Sequence, residues 1–125
     1  MSANVHRPEW DAETDRAPYR WQRSLVGRRA GAERLGASLF DVPPGGATFP
    51  FHAHHANEEL LVVLAGTPTL RTLDGERELE EGEVVAFPAG RDGAHAITNR
   101  SDATVRILIV STMHAPTACP SRGTR

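Results

Sequence analysis

Turn-forming clusters interrupt this chain about every 8 to 12 residues, which limits each segment between them to the length of a strand. Pro43-Pro44-Gly45-Gly46, Asp74-Gly75 and the polar run Asn99-Arg100-Ser101-Asp102 are the clearest breaks. Asp-Gly is the strongest short hairpin signal, because both residues tolerate the backbone of a two-residue turn. The stretches left between breaks read as extended: 19–27, 34–43, 48–54, 58–65, 68–73, 84–88, 94–98 and 104–112. Residues 28–33 read as a turn, and none of the chain carries a sustained helical period. The segment 77–83, RELEEGE, has helical propensity, but the hairpin before it and Gly82 within it favour a strand and turn. The expected fold class is all-β, a sandwich or barrel.

A chain of 125 residues supports one core. Residues 1–18 are polar, punctuated by Pro8 and Pro18, and read as an N-terminal arm that Trp10 can pin to the barrel. Residues 19–112 form the domain, and 113–125, rich in Pro, Ser, Thr and Arg, read as a C-terminal tail. Net charge is -2 and pI near 6.3, which gives no electrostatic basis for binding nucleic acid or an anionic membrane. The longest apolar run, Leu60 to Ala65, is too short to cross a bilayer. The first ten residues lack the pattern of a signal peptide, so a cytoplasmic location is expected. One cysteine, Cys119, allows no intrachain disulfide. All 14 basic residues are arginine, so chemistry that needs a lysine Schiff base or a phosphate-loop lysine is excluded.

Three of six histidines fall between positions 52 and 55, followed by Glu58 and Glu59 and a run of aliphatics. In a strand, residues two apart share a face, so His52 and His54 project together while His55 has the opposite parity. Glu59 opens the next strand and can bring a carboxylate to the same place. His95, after a Gly-rich loop, is a fourth candidate. Three imidazoles and a carboxylate suit one divalent transition metal per chain: Fe, Mn, Ni, Cu or Zn.

These residues stand in two spaced motifs. The first is Gly46, five residues, His52-x-His54, four residues, Glu59, six residues, Gly66; the second is Gly82, five residues, Pro88-x-Gly90, four residues, His95, three residues, Asn99. In both, the chain resembles the small single-domain cupins, of the cupin-2-like and RmlC-like barrel type. It departs from the pattern once: four residues rather than two separate Gly90 from His95, so Arg91-Asp92-Gly93-Ala94 carries a two-residue insertion. Segments 54–72 and 87–102 are similar to a bacterial subgroup of these proteins. The resemblance covers about residues 35–112 and implies a six- to eight-stranded jelly-roll barrel (the double-stranded β-helix), commonly a homodimer, with a metal held inside by His52, His54, Glu59 and His95. The motif's spacing to Gly66 favours Glu59 over Glu58 as the carboxylate. Hydrophobicity does not decide between them, since Leu60, Val62 and Leu64 on one face are matched by Leu61 and Val63 on the other.

The expected function is metal-dependent chemistry of dioxygenase, isomerase or lyase type on a small organic molecule in the barrel. The alternative is a non-catalytic cupin that binds a sugar or other small ligand. His55 and Glu58 are the candidates for proton transfer; Phe51 and Arg71 are the candidates for substrate contact, Arg71 as a carboxylate clamp. Trp21, Phe40, Phe49 and Phe87 are core or rim candidates. Asn99 is expected to order a turn, and His6, His114 and Cys119 to have no specific role.

Overall fold

The computed structural model describes residues 1–53 and 56–113. Among the described residues there are nine strands: β1 (Ala12–Arg16), β2 (Tyr19–Ser24), β3 (Leu35–Val42), β4 (Glu59–Ala65), β5 (Thr69–Thr72), β6 (Gly75–Glu78), β7 (Val84–Phe87), β8 (Ala96–Thr98) and β9 (Val105–Thr112). Six of them form one antiparallel sheet in the order β1-β2-β3-β9-β4-β7, and three form a second in the order β6-β5-β8. The all-β jelly-roll expectation holds. β5 and β6 meet at Asp74-Gly75, where Gly75 takes a φ of 119° that few other residues adopt.

Register decides which face is core. Phe40 pairs with Ile107, and Ile107 pairs with Val63, so these three share the inner face of the large sheet. With Leu61, Leu70, Phe87 and Ile97 they form the buried cluster between the sheets. Leu61 and Val63 are 0% and 1% exposed, whereas Leu60 is 39% exposed. The ambiguity of the aliphatic run is thereby resolved: Leu61 and Val63 of β4 point inward, and the register shifts after Val63. Leu60 and Val84 remain exposed on the outer face of the same sheet.

Two local features differ from the sequence expectation. Residues 26–29 form a one-turn helix, α1 (Val26–Arg29), packed on β3, where a Cβ on Gly27 would meet Ala37. Its shortness leaves no periodicity to detect. Residues 48–53 do not make a regular strand; the chain here runs beside β8 and its approach, with isolated bridges from Ala47 to Thr98 and from His52 to His95. Pro50 sits between those bridges and has no N–H to give to a ladder.

Five residues of the N-terminal segment form edge strand β1. The segment is held at two points. Arg29 binds Glu9 and Asp11, and Asp11 also accepts the Leu25 N–H at 2.7 Å. Arg106 donates to the Val5 carbonyl at 2.9 Å, pairs with Asp41, and lies 5.7 Å from the centre of the Trp10 ring. Among the described residues, no helix is long and apolar enough to cross a membrane.

Candidate functional site

His95 is delivered by the loop that carries the two extra residues. Gly90, with φ of 90°, turns the chain, and Arg91–Gly93 close a single 3-10 turn with Gly93 N–H on Gly90 O and Ala94 N–H on Arg91 O. The insertion is thus folded into one tight turn. A side chain on Gly93 would overlap the Pro88 carbonyl oxygen, so the turn requires glycine there. Beyond it, His95 and His52 exchange two backbone hydrogen bonds, of 2.8 and 3.2 Å. That bridge sets the two rings side by side, with centroids 5.3 Å apart.

Both imidazoles are oriented in the same way. His52 Nδ1 lies 2.8 Å from the Pro50 carbonyl oxygen, and His95 Nδ1 lies 2.7 Å from that of Gly93. A carbonyl only accepts, so each Nδ1 carries a proton and donates it. His95 Nε2 faces Glu59 Oε1 at 3.1 Å, with side-chain exposures of 4% and 12%. That separation suits a hydrogen bond between the two side chains, and it also suits two donor atoms of one shared metal ion. Phe87 backs the pair: it is the register partner of Glu59 and stacks on His95 with centroids 3.8 Å apart.

His52, Glu59 and His95 open onto one cavity of about 480 Å³. Its walls are largely apolar, from Phe40, Phe49, Ile97 and Ile109, with Thr48, Ser38 and Ser111 as polar points and Arg23 as its one cation among the described residues. Of the sequence candidates, His54 and His55 lie outside the described residues. Among those described, no three His, Cys, Asp or Glu side chains converge closely enough to hold an ion. Glu58 is exposed, and its backbone N–H is bonded to Thr112 Oγ1. Arg71 is exposed on β5 with its guanidinium 4.5 Å from the centre of the Phe51 ring, and neither residue lines the cavity. Arg23 was not a sequence candidate. Its signal was its parity in β2, where it shares a face with Trp21 two residues away and pairs with Phe40 on the inner face.

The two motifs thus meet at one end of a cavity between sheets. The cupin domain family model matches residues 38–111, more than half of the chain. The chain belongs to the cupins. Two solved structures match the chain at 30% sequence identity. One is a sugar phosphate isomerase of the cupin superfamily from Silicibacter pomeroyi, with TM-score 0.73; the match covers 77% of this chain and 60% of that one. The other is the polyketide cyclase RemF from Streptomyces resistomycificus, also with TM-score 0.73, where the match covers 93% of this chain and 82% of that one. This cupin therefore spans only 60% of the length of the isomerase structure. KdgF from Halomonas sp. matches over 95% of this chain and 99% of its own at 16% identity and TM-score 0.68, a likeness of fold alone. No curated protein sequence matches the chain.

Proposed function

We propose that this cupin binds one divalent transition metal (Fe, Mn, Ni, Cu or Zn) through His52, His54, Glu59 and His95, and acts on a small organic molecule in the adjoining cavity. One observation carries the reading. His95 Nε2 faces the Glu59 carboxylate at 3.1 Å in a buried setting, with the opposite ring nitrogen already committed to a backbone carbonyl. Metal-ligating histidines are commonly held this way, by a carbonyl on the far nitrogen that fixes tautomer and ring orientation. His52 has the same arrangement with Pro50. Nitrogen and carboxylate donors together suit an ion of intermediate softness.

When bound, such an ion supplies a Lewis acid that polarises a substrate oxygen. The chain's own groups do the rest. Phe40, Phe49, Ile97 and Ile109 take the apolar body of the molecule and exclude water, and Thr48, Ser38 and Ser111 offer hydroxyls to its polar edges. Isomerase-type chemistry, or another rearrangement of one small molecule, is preferred over dioxygenase-type, since the two structures at 30% identity are named an isomerase and a cyclase.

Elemental analysis tests this directly. Wild-type protein purified without added metal is expected to carry about one equivalent of a transition metal per chain, and His52→Ala and His95→Ala far less. Equal content in all three overturns the metal centre. Retained metal with ligand binding, but no turnover across candidate substrates, replaces the enzyme with a non-catalytic small-molecule binder.

A further inference from the structure

Most arginines with an assigned partner here hold a carboxylate: Arg20 with Asp15, Arg29 with Asp11, Arg77 with Glu83, Arg100 with Glu76, and Arg106 with Asp41. Arg23 is different. It lines the cavity, its Nε is buried with no hydrogen-bond partner, and its guanidinium rests 5.3 Å from the centre of the Trp21 ring. The carboxylate that feels its charge, Asp11, is itself engaged by the Leu25 N–H and by Arg29. Arg23 itself lines the cavity, and the fork of N–H groups at the end of an arginine is the best fit a protein offers to a carboxylate.

The surroundings define the rest of the ligand. Trp21, Phe40 and Phe49 form a mutual cluster with all three centroid separations at 5.6 Å, and Phe40 and Phe49 present it to the cavity. On the wall that Trp21, Phe40 and Phe49 form, Arg23 is the one cationic side chain, and it matches a monoanion with a flat, apolar body. A phosphate ester, bearing up to two charges and more oxygens to desolvate, is matched less well.

We infer that Arg23 is the specificity-determining residue of the cavity and anchors the carboxylate of an aromatic or otherwise unsaturated organic acid. This rests on the reading that the cavity takes a small organic molecule, and it names that molecule's class. It also moves the carboxylate clamp from Arg71, which stacks on Phe51 away from the cavity lining, to a residue on β2.

Calorimetric titration with benzoate, its neutral counterpart benzamide, and phenyl phosphate tests the assignment on the wild-type protein. Benzoate is expected to bind at least tenfold more tightly than either of the other two. Arg23→Met is expected to abolish that preference and Arg23→Lys, which keeps the charge but loses the fork, to weaken it in part. Metal content should be unchanged in both variants. Equal binding of benzoate and benzamide, no benzoate binding at millimolar concentration, or tighter binding of phenyl phosphate overturns the inference without use of a variant. A protein that lacks metal yet keeps an Arg23-dependent preference for benzoate separates failure of the metal reading from failure of this one.

Discussion

The imidazole of His95 lies flat against the ring of Phe87, with planes inclined by 8° and centroids 3.8 Å apart. Phe87 is 4% exposed and stands opposite Glu59 in the β4–β7 register, so one ring supports both partners of the 3.1 Å pair. Its role is to fix where the two polar groups meet.

Phe87→Leu is therefore expected to separate a small loss of stability from a larger loss at the site. The missing ring volume costs about 1 kcal/mol in a denaturant titration. Affinity for the proposed metal should fall tenfold or more, because the imidazole is no longer held in one plane. A metal titration with unchanged affinity would show that Phe87 matters to the core alone.

Asn99 is expected to be a major contributor to stability for its size. Buried to 1% exposure, it donates to the Val42 and Ala103 carbonyls at 2.9 and 2.8 Å, and accepts from the Ser101 N–H and hydroxyl. Asn99→Ala leaves those carbonyls without a donor and should cost about 2 kcal/mol or more, seen as a lower urea midpoint at unchanged slope. Asn99→Asp should be worse, since it turns an oxygen toward two carbonyl oxygens. A loss below about 0.5 kcal/mol for the alanine variant would mean that water replaces the side chain.

Acid should weaken attachment of the N-terminal segment. The Leu25 N–H, and then the Arg29 guanidinium, hold Asp11 below the ordinary aspartate value of 3.8. A carboxylate depressed in the folded state contributes stability that is fully present above its unfolded value and lost as pH falls through the folded one. The melting temperature of Asp11→Asn should thus lie below that of wild type at neutral pH, and the gap should close as pH drops below 3.8. A gap that stays constant from neutral to acid pH would remove Asp11 as its source.

Much of the fold was legible because the turns are written in residues with special backbones. Asp74-Gly75, Pro43 to Gly46 and the Asn99 turn each end a strand where expected. The choice between Glu58 and Glu59 was not legible from hydrophobicity. Neighbouring strands and the second sheet cover β4 unevenly, and that asymmetry exists only once the chain has folded. Arg23 was missed for a related reason: a lone arginine in a strand normally faces solvent, and its burial is set by Phe40 across the sheet. The regular strand expected over 48–54 failed at Pro50, although a missing N–H could have been weighed from the sequence.

The pair at the mouth of the cavity belongs to two different sheets. Glu59 opens β4 in the six-stranded sheet, whereas His95 directly precedes β8 in the three-stranded one. The metal ion proposed for this site would act as a clasp across the sandwich, stretched by any shear between the layers. Occupancy is then linked to the closure of the whole barrel. The protein's thermal stability becomes a concentration-dependent record of how often the clasp is filled.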